Sequence, residues 1–367
     1  MPKIFTVENN FFAILFINLQ KSNAFLTIIR VNDNLILDCL NKIGDFVKYL
    51  SCRYIEHGMD FEHTRLETCC FTCHSGGGKI TLKNSYAGES IDWEKLFKLK
   101  RKYREEHRNG HLMPNCVGCV FLEEKEWDNE DYINFLQFNY WIMCNSKCTY
   151  CYEVQNKKMF DKIKPYDSVP VVKEMIEKKI LRPGGEVSFG GGEPTIAPEF
   201  EELIQLLTDN GFQNMRIHSS GIKFSPAIEN AIKKGVLNVV ISIDSGCEKT
   251  YKKIKQVNAY NKVLENMKKY AEANTNYYGL MTSKYIIIPN INDNRREIDS
   301  WIKSVSDVGG KWLALDIEDV WYKENRSTIS NYYLDLVNYV IDKANSLGMK
   351  IELYDRARGL KEGKNYL

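Results

Sequence analysis

The chain has 367 residues, enough for a full hydrophobic core and two modules. Apolar residues make up 44% and charged residues 27%, the proportions of a soluble globular protein, which excludes a disordered or fibrous chain. The net charge of +2 supplies no basic field for nucleic acid or an anionic membrane.

The eleven cysteines, with no secretory leader ahead of them, favour metal work in a reducing compartment, the cytoplasm, over disulfides. Phe11 to Leu19 is apolar but too short to span a bilayer, and is expected as a buried strand or helix. Leu35 to Tyr54 has helical spacing, with Leu37, Leu40, Ile43, Phe46, Val47 and Leu50 on one face. Cys39 and Cys52 in this stretch read as small core residues.

Cys69, Cys70 and Cys73 follow, with His74 beside them. Gly76 to Lys79 is not a phosphate loop: Cys73 stands where the first glycine is needed, and Ile80 where a hydroxyl is needed. A glycine turn into a strand, Lys79 to Leu82, is the better account. Trp93 to His107 is charged and partly helical, and Asn109-Gly110 closes it. Cys116 and Cys119 form a C-x2-C knuckle around Gly118, so two thiolates can converge on one metal. With Cys69, Cys70 and Cys73 they offer an auxiliary iron–sulfur cluster or one zinc, placed before the main sheet. The expected N-terminal cysteine-rich α+β module covers residues 1–134, and the second unit covers 135–367.

From about 135 strand and helix alternate regularly. Strands are expected at Phe135–Trp141, Val187–Phe189, Met215–His218, Asn238–Ile243, Tyr285–Ile288 and Trp312–Asp316, with a short final one at Lys350–Tyr354. Helices are expected at Val169–Leu181, closed by Pro183-Gly184-Gly185, and at Glu199–Thr208, Tyr260–Ala273, Glu297–Val305 and Ile329–Leu347. Another begins at Ser225-Pro226 and stops at Gly235. Six strands joined by helices imply an α/β fold with a parallel sheet, whose ligands bind at the carboxyl ends of the strands.

Two motifs sit at those ends. After the first strand comes Cys144-Asn145-Ser146-Lys147-Cys148-Thr149-Tyr150-Cys151, a C-x3-C-x2-C run. Thiolates suit iron–sulfur clusters and zinc. Zinc ribbons supply four ligands as two C-x2-C pairs, whereas three thiols on one tight loop suit a four-iron cluster with one iron left open. After the second strand comes Gly190-Gly191-Gly192-Glu193-Pro194. Glycines let backbone approach a ligand closely, and a carboxylate complements an ammonium.

In these two motifs and their order the chain resembles the radical S-adenosylmethionine enzymes, over about residues 135 to 355. The resemblance implies a six-stranded partial (β/α)6 barrel. It implies a 4Fe–4S cluster on Cys144, Cys148 and Cys151, and S-adenosylmethionine held near Tyr150 and by Gly190, Gly191, Gly192 and Glu193. It places Ser219, Ser220, Ser242 and Asp244 near the cofactor's ribose or methionine, and aligns Lys255 with a basic residue that meets the cofactor carboxylate. Lysine there loses a bidentate contact, and Lys252 and Lys253 compete for the role. The implied chemistry is one-electron cleavage of S-adenosylmethionine, fed by a small ferredoxin- or flavodoxin-type reductant. It yields methionine and a 5′-deoxyadenosyl radical that removes a hydrogen atom from substrate.

His218, Asp316, Glu318 and Asp319 are candidates for binding substrate, as an acidic rim or simply as helix caps. Cys247 is a candidate to return a hydrogen atom to a substrate radical. Ser242 to Gly246, followed by Glu248 to Lys255, is similar to the branch of the family that modifies peptides or proteins; a sugar or other small metabolite is the alternative substrate. A non-catalytic scaffold with zinc at both cysteine groups is the competing reading, and it leaves the glycine motif without a purpose.

Overall fold

The computed structural model describes residues 47–62, 65–68, 79–80, 91–114, 116–119, 121–156, 158, 167–275, 279–325 and 328–363. Ahead of the cysteine loop come strand β1 (Val47–Ser51), helix α1 (Arg53–His57), strands β2 (Gly58–Glu62), β3 (Arg65–Glu67) and β4 (Lys79–Ile80), helix α2 (Trp93–Arg108), and strands β5 (Glu123–Trp127) and β6 (Ile133–Phe138). The loop runs into a short helix, α3 (Tyr152–Gln155), then α4 (Val169–Glu177) and β7 (Leu181–Phe189). Next are α5 (Phe200–Asp209), β8 (Asn214–Ser219), α6 (Pro226–Lys233), β9 (Leu237–Ser242), α7 (Glu248–Lys255), α8 (Tyr260–Glu272) and β10 (Leu280–Ile287). The chain continues through α9 (Arg295–Asp307), β11 (Trp312–Ile317), α10 (Asp319–Asn325), α11 (Asn331–Ser346), β12 (Lys350–Leu353) and α12 (Asp355–Glu362).

One ten-stranded sheet carries the fold, in the order β12-β11-β10-β9-β8-β7-β6-β2-β3-β4. From β12 to β2 every neighbour is parallel, and β3 and β4 add an antiparallel edge. The six expected strands are β6 to β11, laid side by side in chain order, as helical crossovers require. The fold is therefore α/β with a mostly parallel sheet. The sheet also crosses residue 134, because β2 pairs in parallel with β6. A separate antiparallel pair, β1 with β5, packs beside α2.

Two expectations are corrected. Residues 35–46 of the helix expected at Leu35–Tyr54 lie outside the described residues, and 47–51 form a strand. The stretch Lys48-Tyr49-Leu50-Ser51 alternates out and in, with Leu50 38% exposed and Tyr49 and Ser51 buried. Trp127 Nε1 donates to the Tyr49 carbonyl across the pair at 3.2 Å. Cys52 is buried, as expected, in a small cluster with Tyr54, Ile55 and Phe135. The second correction concerns Pro183-Gly184-Gly185, which lies inside β7 rather than closing α4. The register between β6 and β7 shifts there, and a Cβ on Gly185 would stand 2.2 Å from the Asn134 carbonyl oxygen.

Strand alternation decides what faces where. On β8, Met215 and Ile217 are buried toward the helices, while Arg216 and His218 share the opposite face. Helices α5, α6, α8, α9 and α11 cover the outer face with Leu203, Ile232, Met267, Trp301 and Val337. Among the described residues no helix is long and apolar enough to cross a membrane. Trp301 is fully buried, packs on Tyr285 at 4.7 Å and donates to Ser283 Oγ at 2.9 Å. Its replacement by alanine is expected to cost about 3–5 kcal/mol of stability, read as a lower denaturation midpoint with an unchanged slope.

Candidate active site

The site is built where β6 and β7 end. Their ladder does not stop at the last strand residues. Gly190 N donates to Phe138 O at 2.9 Å, Gly192 N to Trp141 O at 2.7 Å, and Glu193 N to Met143 O at 2.8 Å. Residues 139–143, which lead into the cysteine loop, are thus zipped to the glycine motif. The glycines are required by that closeness: a Cβ on Gly191 would stand 2.6 Å from Trp141 O, and one on Gly192 2.4 Å from Met143 O. Gly191 also has φ +78°, in the left-handed region.

Glu193 is buried and fully engaged. Its carboxylate accepts from Thr195 Oγ1 at 2.6 Å, Thr195 N at 3.2 Å, Ser219 Oγ at 2.9 Å and Ser220 N at 2.5 Å. It therefore ties the end of β7 to the end of β8. Ser220 Oγ in turn donates to Asn145 Oδ1 at 2.9 Å, reaching the cysteine loop. Ser242 stands half-buried at the end of β9.

Asp244 follows β9 with φ +53°, a left-handed conformation unusual for a residue with a side chain. Its Oδ1 accepts from Ile286 N at 2.8 Å. Its Oδ2 accepts from Tyr150 OH and from Lys255 Nζ, both at 2.5 Å. Asn292 Nδ2 holds the Asp244 carbonyl at 2.8 Å. Burial opposes the charge of Lys255, but the Asp244 carboxylate holds the ammonium well above its ordinary pKa. The competing lysines, Lys252 and Lys253, are exposed on the other face of α7.

The cysteine loop carries three thiols, two of which meet one hydroxyl. The Cys144 and Cys148 sulfurs flank the Ser146 hydroxyl at 3.3 and 3.5 Å, and the Cys151 thiol donates to Glu153 at 2.9 Å. Among the described residues no three His, Cys, Asp or Glu side chains are placed to hold one metal ion. A single zinc needs its ligands within about 2.3 Å of one point, whereas a four-iron cluster takes each thiolate on a separate iron. Three soft thiols on one loop have the donor chemistry that a four-iron cluster takes. Burial pushes the Cys144 thiol up, and burial with the Glu153 carboxylate pushes that of Cys151 up to about 12. Both thiols are therefore protonated at neutral pH.

Below the loop the inner face of the sheet is polar, and sequence reasoning missed most of it. Tyr354 is the hub: Arg216 Nη2 donates to its hydroxyl at 2.6 Å, Lys284 Nζ sits 4.6 Å from its ring centre, and His218 meets it edge-on at 6.0 Å. Burial pushes the Lys284 amine down and keeps His218 far below its usual pKa, so that imidazole is neutral at pH 7. The available signal was the alternation of Arg216 and His218 with apolar Met215 and Ile217 in β8, and the lone charge of Lys284 in β10.

The expected acidic rim is neutralised. Arg356 donates to Asp316 at 2.7 Å and to Asp319 at 2.8 Å, and Glu318 caps α10 by accepting from Val320 N and Trp321 N. The cysteine loop is seated on the C-terminal end of α7, whereas Cys247 lies at its N-terminal end. It caps α7 and points its thiol at Glu297 of α9, 3.3 Å away. Cys116 and Cys119 form a turn in which Cys119 N donates to Cys116 O at 3.0 Å, with Gly118 at φ +76°. Cys69, Cys70 and Cys73 lie outside the described residues.

Comparison with known proteins gives three findings. A profile of the Radical SAM superfamily matches residues 139–302. The 7,8-dihydro-6-hydroxymethylpterin dimethyltransferase of Methanocaldococcus jannaschii is 33% identical over 136 residues, 34% of this chain and 26% of the relative. A GTP 3′,8-cyclase of Clostridium botulinum is 28% identical over 173 residues, 46% of this chain and 52% of the relative. The chain thus spans about half or less of these relatives' length. Among solved structures, Streptococcus suis SuiB bound to S-adenosylmethionine superposes with a TM-score of 0.45 at 12% identity, covering 70% of this chain and 52% of that one. Native anSMEcpe with bound AdoMet gives 0.45 at 16% identity, covering 60% of this chain and 63% of that one.

A methyl group at Gly192 cannot be accommodated without moving the Met143 backbone. Gly192→Ala is expected to cost about 1–3 kcal/mol, and to lower the iron retained after reconstitution more than an alanine at exposed Gly348 does.

Proposed function

Residues 139–302 belong to the radical S-adenosylmethionine superfamily, and from that premise we propose that the chain is an enzyme that removes a hydrogen atom from its substrate. The observation that carries this reading is the backbone zipper between the glycine motif and the cysteine loop at the carboxyl ends of parallel strands. Cys144, Cys148 and Cys151 would hold a 4Fe–4S cluster, with S-adenosylmethionine beside it at the ends of β7 to β10. When bound, the two groups supply an electron and a carbon radical able to take hydrogen from an unactivated position.

The chain's own residues do the rest. Glu193 fixes the turn against Ser219 and Ser220. The loop is seated on α7 through the carbonyls of Ile254 and Lys255. Arg216, His218, Lys284 and Tyr354 line the space below and are the groups available to orient substrate. The apolar residues behind them keep water from reactive intermediates. An electron donor of the ferredoxin or flavodoxin type and a cytoplasmic, reducing setting belong to the same reading.

Two substrate classes remain in view. The names of the curated relatives, a nucleotide cyclase and a pterin methyltransferase, favour a small metabolite. The likeness of Ser242 to Gly246 to the peptide-modifying branch favours a peptide or protein. On this proposal residues 1–134 form a cysteine-rich module that extends the catalytic sheet through β2 to β4. There Cys116 and Cys119, with Cys69, Cys70 and Cys73, would hold a second cluster or zinc.

Anaerobic purification with iron, sulfide and zinc counts tests the first claim. The protein is expected to hold about four irons that Cys144→Ala, Cys148→Ala and Cys151→Ala together abolish; zinc kept by that variant belongs to the N-terminal cysteines. About eight irons falling to about four would assign the second site as a cluster. No iron after reconstitution sinks the enzyme reading in favour of a zinc scaffold. For substrate class, deuterium transfer into 5′-deoxyadenosine from a small-metabolite pool labelled at carbon assigns a small metabolite, and transfer only from labelled peptides assigns a peptide or protein.

A further inference from the structure

The cysteine loop is held from below as well as from the side. Lys147 N donates to Lys255 O and Thr149 N to Ile254 O, both at 3.0 Å, on either side of Cys148. These are carbonyls at the C-terminal end of α7, which an isolated helix leaves without partners. Next to them Tyr150 OH donates to Asp244 Oδ2 and accepts from Lys255 Nζ at 2.9 Å. Lys255 and Asp244 are only 2% and 0% exposed, so a ligand carboxylate could reach the ammonium only by displacing Asp244.

We propose that Tyr150, Asp244 and Lys255 are positioning residues that latch the cysteine loop onto the ends of β9 and α7 and set the charge balance beneath Cys148, so that Lys255 serves the loop rather than a ligand carboxylate. The proposal rests on the reading that the loop carries an iron–sulfur cluster. A buried ion pair is neutral as a unit, and removing one partner leaves the other's charge behind. Lys255→Met leaves a buried anion, and Asp244→Asn leaves a buried cation. Lys255 is bonded through its carbonyl to Lys147, next to Cys148, and through its ammonium to Tyr150, two residues beyond, so its charge lies close to that cysteine. Reducing a cluster adds negative charge, which a nearby cation favours and a nearby anion opposes.

The latch therefore has a signature that loosening alone would lack. In reconstituted protein, the midpoint potential of the cluster is expected to fall in Lys255→Met and rise in Asp244→Asn, with Lys255→Arg close to wild type. In iron-free protein, hydrogen exchange at the Lys147 and Thr149 amides is expected to speed up at least tenfold in Tyr150→Phe, which removes a single hydroxyl and tests the latch even if the charge variants do not fold. Potentials that move together or not at all, or unchanged exchange in Tyr150→Phe, overturn the proposal. So does a Lys255→Met protein that keeps its potential but binds S-adenosylmethionine more than tenfold more weakly. Wild-type protein that takes up no iron overturns the cluster reading instead, and the exchange rates then judge the latch alone.

Discussion

The backbone of residues 190–192 passes so close to residues 139–143 that side chains are excluded, and three hydrogen bonds continue the β6–β7 ladder past the strands. Everything at the site hangs from this contact. It carries the chain into the cysteine loop at a fixed height above the sheet. It also delivers Glu193 to the Ser219 and Ser220 donors, so a third strand is tied in. The glycines are thus explained by protein meeting protein before any ligand is considered.

The second organising constraint is the cost of burying charge. An isolated ion in the interior is costly, so charges there tend to be paired or shifted toward neutrality. Asp244 with Lys255, and Asp316 with Arg356, follow the first route. His218 and Lys284 follow the second. This divides the polar residues of the sheet's inner face in two. The paired ones are committed to structure. The two shifted ones both meet the ring of Tyr354, His218 edge-on with its imidazole and Lys284 with its amine over the ring face.

Much of the main sheet was legible because parallel strands buried on both faces read as apolar runs punctuated by helices. Strands β6 to β11 were placed in their right order for that reason, and the C-x3-C-x2-C loop and the Gly190–Glu193 turn fell at strand ends. Other features were not legible because they depend on contacts distant in sequence. Val47 to Ser51 has a spacing compatible with a helix, and only its pairing with Glu123 to Trp127 makes it a strand. Lys255 could be aligned with a basic family residue, yet its direction is set by Asp244 eleven positions earlier and Tyr150 in another loop. The acidic residues at 316 and 319 looked free until Arg356, from beyond the last strand, was seen between them.

Strand β2 pairs along β6, Phe61 stacks on Phe138 at 4.5 Å, and the Phe61 carbonyl accepts from Asn139 N at 2.8 Å, the residue where the approach to the cysteine loop begins. A polypeptide begun at residue 135 would keep each cysteine and glycine of the two motifs and still expose a bare hydrogen-bonding edge along β6. Such an edge recruits other chains as readily as a native partner. Any segment swap or shortened variant must therefore respect the boundary of the sheet, which lies some way upstream of the boundary that the motifs mark.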